Sequence, residues 1–257
     1  YTTYDTLSLH DALPISTPDA KVELQRAEAL DRLCADLDVQ IGLTVMKAEP
    51  GTVAGTRLRG VADTVRKMVE RLGYDRIAVL GVSLGGAVAQ QLAHQAPDLV
   101  RRLVLAATSP GLGGLPGSPR ALLALATPRR YQPHFYRASA GHVYGGLART
   151  VPDVFLRRPA ARLVEPPSVT GHLGQLYSIS GWTSLPWLHT LRQPTLVLAG
   201  DDDPIVPLIN GRILAWRIPT ARLHVVRGGG HLFLLERPSE LATVIAGFVG
   251  AVDDPPG

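Results

Sequence analysis

The stretch Ile77-Ala78-Val79-Leu80-Gly81-Val82-Ser83-Leu84-Gly85-Gly86 decides the fold. Ile77 to Leu80 is a short apolar run that reads as a buried strand, ending at Gly81. A helical pattern follows over Ala87 to Ala96 and is stopped by Pro97, and Leu103 to Ala106 is a second apolar run. Strand, helix and strand within about thirty residues make a parallel crossover unit, whose sheet needs helices to cover it.

Upstream, Val61, Val65, Met68, Val69 and Leu72 recur at helical spacing, and Gly73 follows where a left-handed cap belongs. Downstream, the alternation returns with Thr195–Ala199 as strand, Ile209–Ile218 as helix, Leu223–Val226 as strand and Pro238–Val249 as a last helix. The class is α/β with a mostly parallel sheet. Residues 56–108 and 192–252 form its core. Residues 109–191, rich in Gly and Pro at their start, are too long for a structureless loop and read as an inserted lid subdomain. The insertion follows a strand's carboxyl end, where ligands bind in open α/β sheets.

The amino-terminal region reads differently. Thr6 to Ile15 (TLSLHDALPI) resembles one reading frame of a sequencing-adapter oligonucleotide, so residues 1–15 are expected not to belong to the protein. They also lack the layout of a secretory signal. Residues 16–55 are an atypical segment, with a helix-like Lys21–Leu37 and a strand candidate at Val39–Val45. The early strands of the fold are expected to be missing or replaced there, with the true gene starting further upstream.

Composition narrows the function classes. Of 257 residues, 46% are hydrophobic and 19% charged, enough to bury a large core, which excludes a disordered or fibrous chain. No apolar run approaches the ~18 residues of a membrane span, so an integral membrane protein is excluded. The net charge of +4 comes from scattered arginines without interleaved aromatics or a basic arm, so no nucleic-acid partner is expected. Cys34 is the single cysteine, which removes any intrachain disulfide and favours a reducing, cytoplasmic location.

Gly81-Val82-Ser83-Leu84-Gly85 fits Gly-x-Ser-x-Gly between a strand and a helix. A serine on so sharp a turn needs small neighbours, a role given to Gly81, Gly85 and Gly86, and its hydroxyl stands at the sheet's edge. The following helix points its positive end at the site, and the Leu84 N–H can donate to an oxyanion. A serine hydroxyl requires a base and an orienting acid. His231, behind Gly228-Gly229-Gly230 after the last strand, is the best base among eight histidines. Asp201, Asp202 and Asp203 follow the strand ending at Gly200; Asp203 is preferred as the acid, with Asp201 and Asp202 as alternatives. No second acidic or histidine cluster completes a cation site, so no metal is expected. The order Ser83, Asp203, His231 is that of the α/β-hydrolase arrangement.

Tyr74 to Ser83 (YDRIAVLGVS), Leu103 to Pro110 (LVLAATSP), Pro128 to Tyr131 (PRRY), Tyr144-Gly145-Gly146 and above all Gly181 to Val226 resemble the intracellular depolymerases of medium-chain-length poly(3-hydroxyalkanoates). That resemblance spans about Gly60 to Phe248. It implies a lidded α/β hydrolase that cleaves ester bonds of a stored polyester at granule surfaces, and it maps the nucleophile to Ser83, the acid to Asp203 and the base to His231. Trp182, Trp187, Tyr131 and Tyr144 are expected to face the 3-hydroxyacyl side chains, with the equal alternative that they form the lid's own small core.

Two departures stand out. Where those depolymerases carry a tryptophan after the nucleophile, this chain has Leu84, and no His-Gly or Asn-Gly pair behind a strand occurs upstream of Ser83 to supply a second oxyanion donor. The expected activity is ester hydrolysis through a Ser-His-Asp triad and an acyl-enzyme, without metal or organic cofactor. Its expected partner is a polyester granule surface or a small ester. The alternatives are a small-molecule carboxylesterase of the same fold and a truncated, inactive pseudo-hydrolase.

Overall fold

The computed structural model describes residues 58–127, 133–152 and 179–251. Lys21–Leu37, Val39–Val45 and the adapter-like segment lie outside the described residues, as does Tyr131. Helix α1 (Leu58–Arg71) leads into strand β1 (Ile77–Val82), helix α2 (Leu84–Gln95) and strand β2 (Val100–Ala106). The insertion contributes α3 (Pro119–Ala126), α4 (Pro133–Tyr144) and two 3-10 turns, Gly146–Arg149 and Leu188–Thr190. Strand β3 (Thr195–Gly200), helix α5 (Leu208–Arg217), strand β4 (Ala221–Val226), the short α6 (Phe233–Glu236) and α7 (Pro238–Val249) complete the order.

Among the described residues four strands lie side by side in the order β1-β2-β3-β4, all parallel. Side chains alternate across such a sheet, so each strand feeds two cores. Ile77, Val79, Leu103, Leu105 and Val197 face a layer built from α1, α2 and α5, where Val65, Leu92 and Leu214 are buried. Ala78, Val104, Ala106, Leu196 and Leu198 face the opposite layer, closed by Phe233 of α6 and by Leu241, Ile245 and Val249 of α7. This two-sided burial explains why the strands read as continuous apolar runs rather than as alternating ones.

Helix α1 ends as its sequence requires. Gly73 has φ +80, its N–H donates to the Glu70 carbonyl, and the Tyr74 N–H donates to the Val69 carbonyl, which together form a Schellman cap. The buried stripe of α1 is Leu58, Ala62, Val65 and Val69, whereas Met68 and Leu72, expected on that face, are exposed. Their neighbours Val65 and Val69 already fill the contact with α2, one turn apart on the helix.

The two ends of the insertion are laced together. The Leu112 N–H donates to the Trp182 carbonyl, the Ser184 N–H to the Pro110 carbonyl, and Gly111 bridges Thr183. Leu188 and Leu191, at the expected end of the insertion, are buried in the core beside α2 and α5.

Candidate active site

Three of the four described strands end in a loop that carries one candidate side chain, so the parallel sheet brings residues 148 positions apart to one rim. Ser83 follows β1 with φ 53 and ψ −119, a left-handed conformation that costs a non-glycine residue about 1–3 kcal/mol. The turn is over-determined. The Ser83 N–H donates to the Ala106 carbonyl at 2.9 Å, and its carbonyl accepts from the Thr108 hydroxyl at 2.8 Å and from the Gly86 N–H at 2.9 Å.

The glycines around it differ in what they contribute. A Cβ at Gly81 would sit 2.5 Å from the Gly85 carbonyl oxygen and 2.6 Å from the Ala89 Cβ; one at Gly86 would sit 2.4 Å from the Thr108 Cβ. Gly85 is the exception to the expectation, because a Cβ there meets nothing within 4 Å among the described residues. Helix and strand approach closely at Gly81 and Gly86, while Gly85 looks outward.

His231 Nε2 lies 3.0 Å from the Ser83 Oγ, and His231 Nδ1 lies 2.8 Å from the Asp203 Oδ2. The Asp203 side chain is fully buried, and its other oxygen accepts from the Ile205 and Val206 N–H groups, each at 2.9 Å. A carboxylate so held cannot turn away from the imidazole. The His231 N–H donates to the Tyr144 carbonyl at 2.6 Å, which fixes the base to the insertion. As the first residue of α2, Leu84 has an N–H with no intrahelical acceptor, directed with the helix's positive end toward the rim.

The neighbouring aspartates serve other partners. Asp201 accepts from the Gly228 N–H at 2.5 Å and ties the β3 loop to the β4 loop. Asp202 forms a two-pronged ion pair with Arg149, at 2.7 and 2.8 Å, and accepts from the Gly146 N–H at 2.8 Å. The Arg149 guanidinium, helped by the Gly146 N–H, holds the Asp202 carboxyl below its ordinary value despite partial burial. Among the described residues no group of three or more His, Cys, Asp or Glu side chains could hold a metal ion.

The expected substrate-facing aromatics separate. The Trp182 indole donates to the Gln91 Oε1 at 2.9 Å, and Trp187 stacks on His94 with ring centroids 4.3 Å apart. Both indoles, half-buried, pack on the α2 layer of the core. Tyr144 packs with Ala140, Ala148, Leu232 and Leu235 in a small cluster under the base loop. Sequence reasoning passed over Glu236, a buried carboxyl in α6 whose oxygens accept from the Leu147 N–H at 3.3 Å and the Gly230 N–H at 3.4 Å. Its spacing of five from His231 carried no periodic signal.

A left-handed serine between a parallel strand and a helix, in series with a histidine and an acid from later loops, is the layout of one fold family. The α/β hydrolase fold family matches residues 47–238, and the chain belongs to it. By class it is a carboxylic ester hydrolase. It is 46% identical over 194 residues, 75% of this chain and 68% of the relative, to a poly(3-hydroxyalkanoate) depolymerase of Ectopseudomonas oleovorans. It is 31% identical over 184 residues, 66% of this chain and 73% of the relative, to a pimeloyl-[acyl-carrier protein] methyl ester esterase of Aromatoleum aromaticum. Among solved structures, Est816, described as an N-acyl homoserine lactone degrading enzyme, aligns with a TM-score of 0.62 at 28% identity over 77% of this chain and 76% of its own. The meta-cleavage product hydrolase CumD of Pseudomonas fluorescens IP01 aligns with a TM-score of 0.65 at 18% identity, over 76% of this chain and 72% of its own, a likeness of fold. No described helix is long and apolar enough to cross a membrane.

Proposed function

We propose that this chain hydrolyses the ester bonds of a poly(3-hydroxyalkanoate) through an acyl-enzyme on Ser83. The observation that carries the chemistry is the series Ser83 Oγ, His231 Nε2, His231 Nδ1, Asp203 Oδ2, with spacings of 3.0 and 2.8 Å. With Nδ1–H donated to Asp203, the Nε2 lone pair faces the serine hydroxyl. As the Ser83 Oγ forms a bond to the ester carbonyl carbon, its proton passes to Nε2. The Leu84 N–H stabilises the resulting oxyanion, and the imidazolium returns the proton to the departing alkoxide as the ester C–O bond breaks. Water then repeats the sequence on the acyl group and releases the 3-hydroxy acid with Ser83 restored. Asp203 stays ionised throughout and steadies the imidazolium.

The 46% identity to a polyester depolymerase supports the polymer as substrate and a granule surface as partner. The likeness to a methyl ester esterase favours a second reading, a small-molecule carboxylesterase. In both, the insertion acts as a lid over the rim. The deciding experiment compares release of 3-hydroxyoctanoate from polymer granules with hydrolysis of a short p-nitrophenyl ester. Polymer hydrolysis that falls by about 10⁶-fold in Ser83→Ala supports the first reading. Activity on the short ester alone supports the second, and activity unchanged in Ser83→Ala overturns both.

A further inference from the structure

We infer that Glu236 is a positioning residue for this reaction, whose buried carboxylate clasps the His231 loop to the insertion and so sets the distance from His231 to Ser83. The inference rests on the proposed roles of Ser83 and His231. Glu236 is 8% exposed and sits in a four-residue helix directly after the base loop. One of its oxygens faces the N–H of Gly230, the residue before His231, and the other faces the N–H of Leu147 in the insertion. Two donors from separate segments thus converge on a group that only accepts. A glutamine of the same shape would present a donor to one of them.

The fit around the carboxylate is close. A Cβ at Gly146 would sit 2.4 and 2.8 Å from the two Glu236 oxygens and 2.3 Å from the Gly230 nitrogen. A Cβ at Gly230 would collide with the Tyr144 carbonyl oxygen, 2.2 Å away. Gly145 and Gly146 take φ +66 and +51, which lets the chain pass between the acid loop and the base loop. On one side Asp202 holds the Gly146 N–H; on the other Glu236 holds the Leu147 N–H. Between them the Tyr144 carbonyl binds the His231 N–H. The insertion therefore reaches the imidazole by two routes, and the Glu236 carboxylate takes a backbone N–H from each of the loop and the insertion.

Keeping a carboxyl there is costly. Burial pushes Glu236 up from its ordinary value, the Gly230 and Leu147 N–H groups and Arg237 oppose that shift, and Asp202 adds to it. The charged groups that act on it are Asp202, itself paired with Arg149, and Arg237, the next residue along the chain. An uncharged residue would fill the space at lower cost, so the clasp itself is what the carboxylate supplies.

The test uses the full chain with Glu236→Gln and Glu236→Asp, beside Ser83→Ala and Asp203→Asn controls. We expect folded Glu236→Gln to lose between about 10-fold and 100-fold in kcat on a short p-nitrophenyl ester, with KM changed less than about threefold. Labelling of Ser83 by a fluorophosphonate should slow in parallel. The far-downfield proton resonance of His231 Nδ1–H, assigned by its loss in Asp203→Asn, should shift or broaden. If Glu236→Gln does not fold, Glu236→Asp, which keeps the charge but shortens the reach, carries the same expectation. Wild-type kcat with an unshifted resonance in a folded variant overturns the inference. Activity surviving in Ser83→Ala instead strikes the proposed reaction, and the resonance still decides whether Glu236 positions His231.

Discussion

Three consecutive carboxylates, Asp201, Asp202 and Asp203, have different partners because each residue after β3 turns in a different direction. Asp203 is sealed beneath the rim against His231, whereas the Asp202 and Arg149 side chains remain 37% and 45% exposed. Asp203→Asn, with the wrong pattern of donors for Nδ1–H, should lower kcat about 10⁴-fold while the protein stays folded, as steady-state kinetics and circular dichroism would show. Asp202→Asn should change kcat only a few-fold. Solvent screens the Asp202–Arg149 pair, so its loss should cost under about 1 kcal/mol in denaturant melts near neutrality. Because the folded state holds Asp202 below 3.8, its contribution is present above that value and is lost as pH falls through the depressed pKa. The stability gap between wild type and variant should close in acid. The sequence favoured Asp203 by its place in the turn after Gly200, but it carries no record of which backbone N–H groups meet each acid.

At the level of elements, the site depends on how closely α2 approaches the strands. Gly81→Ala would place a methyl group against the Gly85 carbonyl and the Ala89 side chain, so helix or nucleophile must shift. We expect loss of fluorophosphonate labelling together with a lower melting temperature. Gly85→Ala meets open space, and should alter stability by no more than about 0.5 kcal/mol and keep labelling. The motif spelled both glycines alike; only the packing of α2 on β1 and β2 distinguishes them. The same helix anchors the end of the insertion. Gln90, fully buried, accepts the Ser184 hydroxyl at 2.7 Å and donates to the Gly86 and Ser109 carbonyls. Ser184→Ala would leave the Gln90 oxygen unpaired and should cost about 1–3 kcal/mol, measurable by urea unfolding.

For the whole molecule, stability and activity share one scaffold, since the sheet that buries the core also aligns the three loops. Leu103, wholly buried at the middle of β2, packs with the α1, α2 and α5 layer. Leu103→Ala should destabilise by about 2–5 kcal/mol without touching the rim. Activity per folded molecule should then hold until the fraction folded falls, which parallel unfolding and rate measurements would detect.

The strand, helix and insertion order was legible in the sequence because apolar periodicity and the Gly-x-Ser-x-Gly turn are local signals, set by residues within one turn or one pleat of each other. Ser83, Asp203 and His231 stood out for the same reason, each lying past the end of a recognisable strand. Whether an aromatic lines a cleft or supports a helix was not legible, because the contacts of Trp182 with Gln91 and of Trp187 with His94 join segments far apart in the chain. Nor could a lone Glu236 announce itself, since its partners Gly230 and Leu147 come from two segments that meet only after the insertion folds back. The sequence by itself determined the elements and the chemistry available at their ends. Only the tertiary structure decided which donor faces which acceptor, because hydrogen bonds between distant loops depend on sheet register and close approach, which no local pattern encodes.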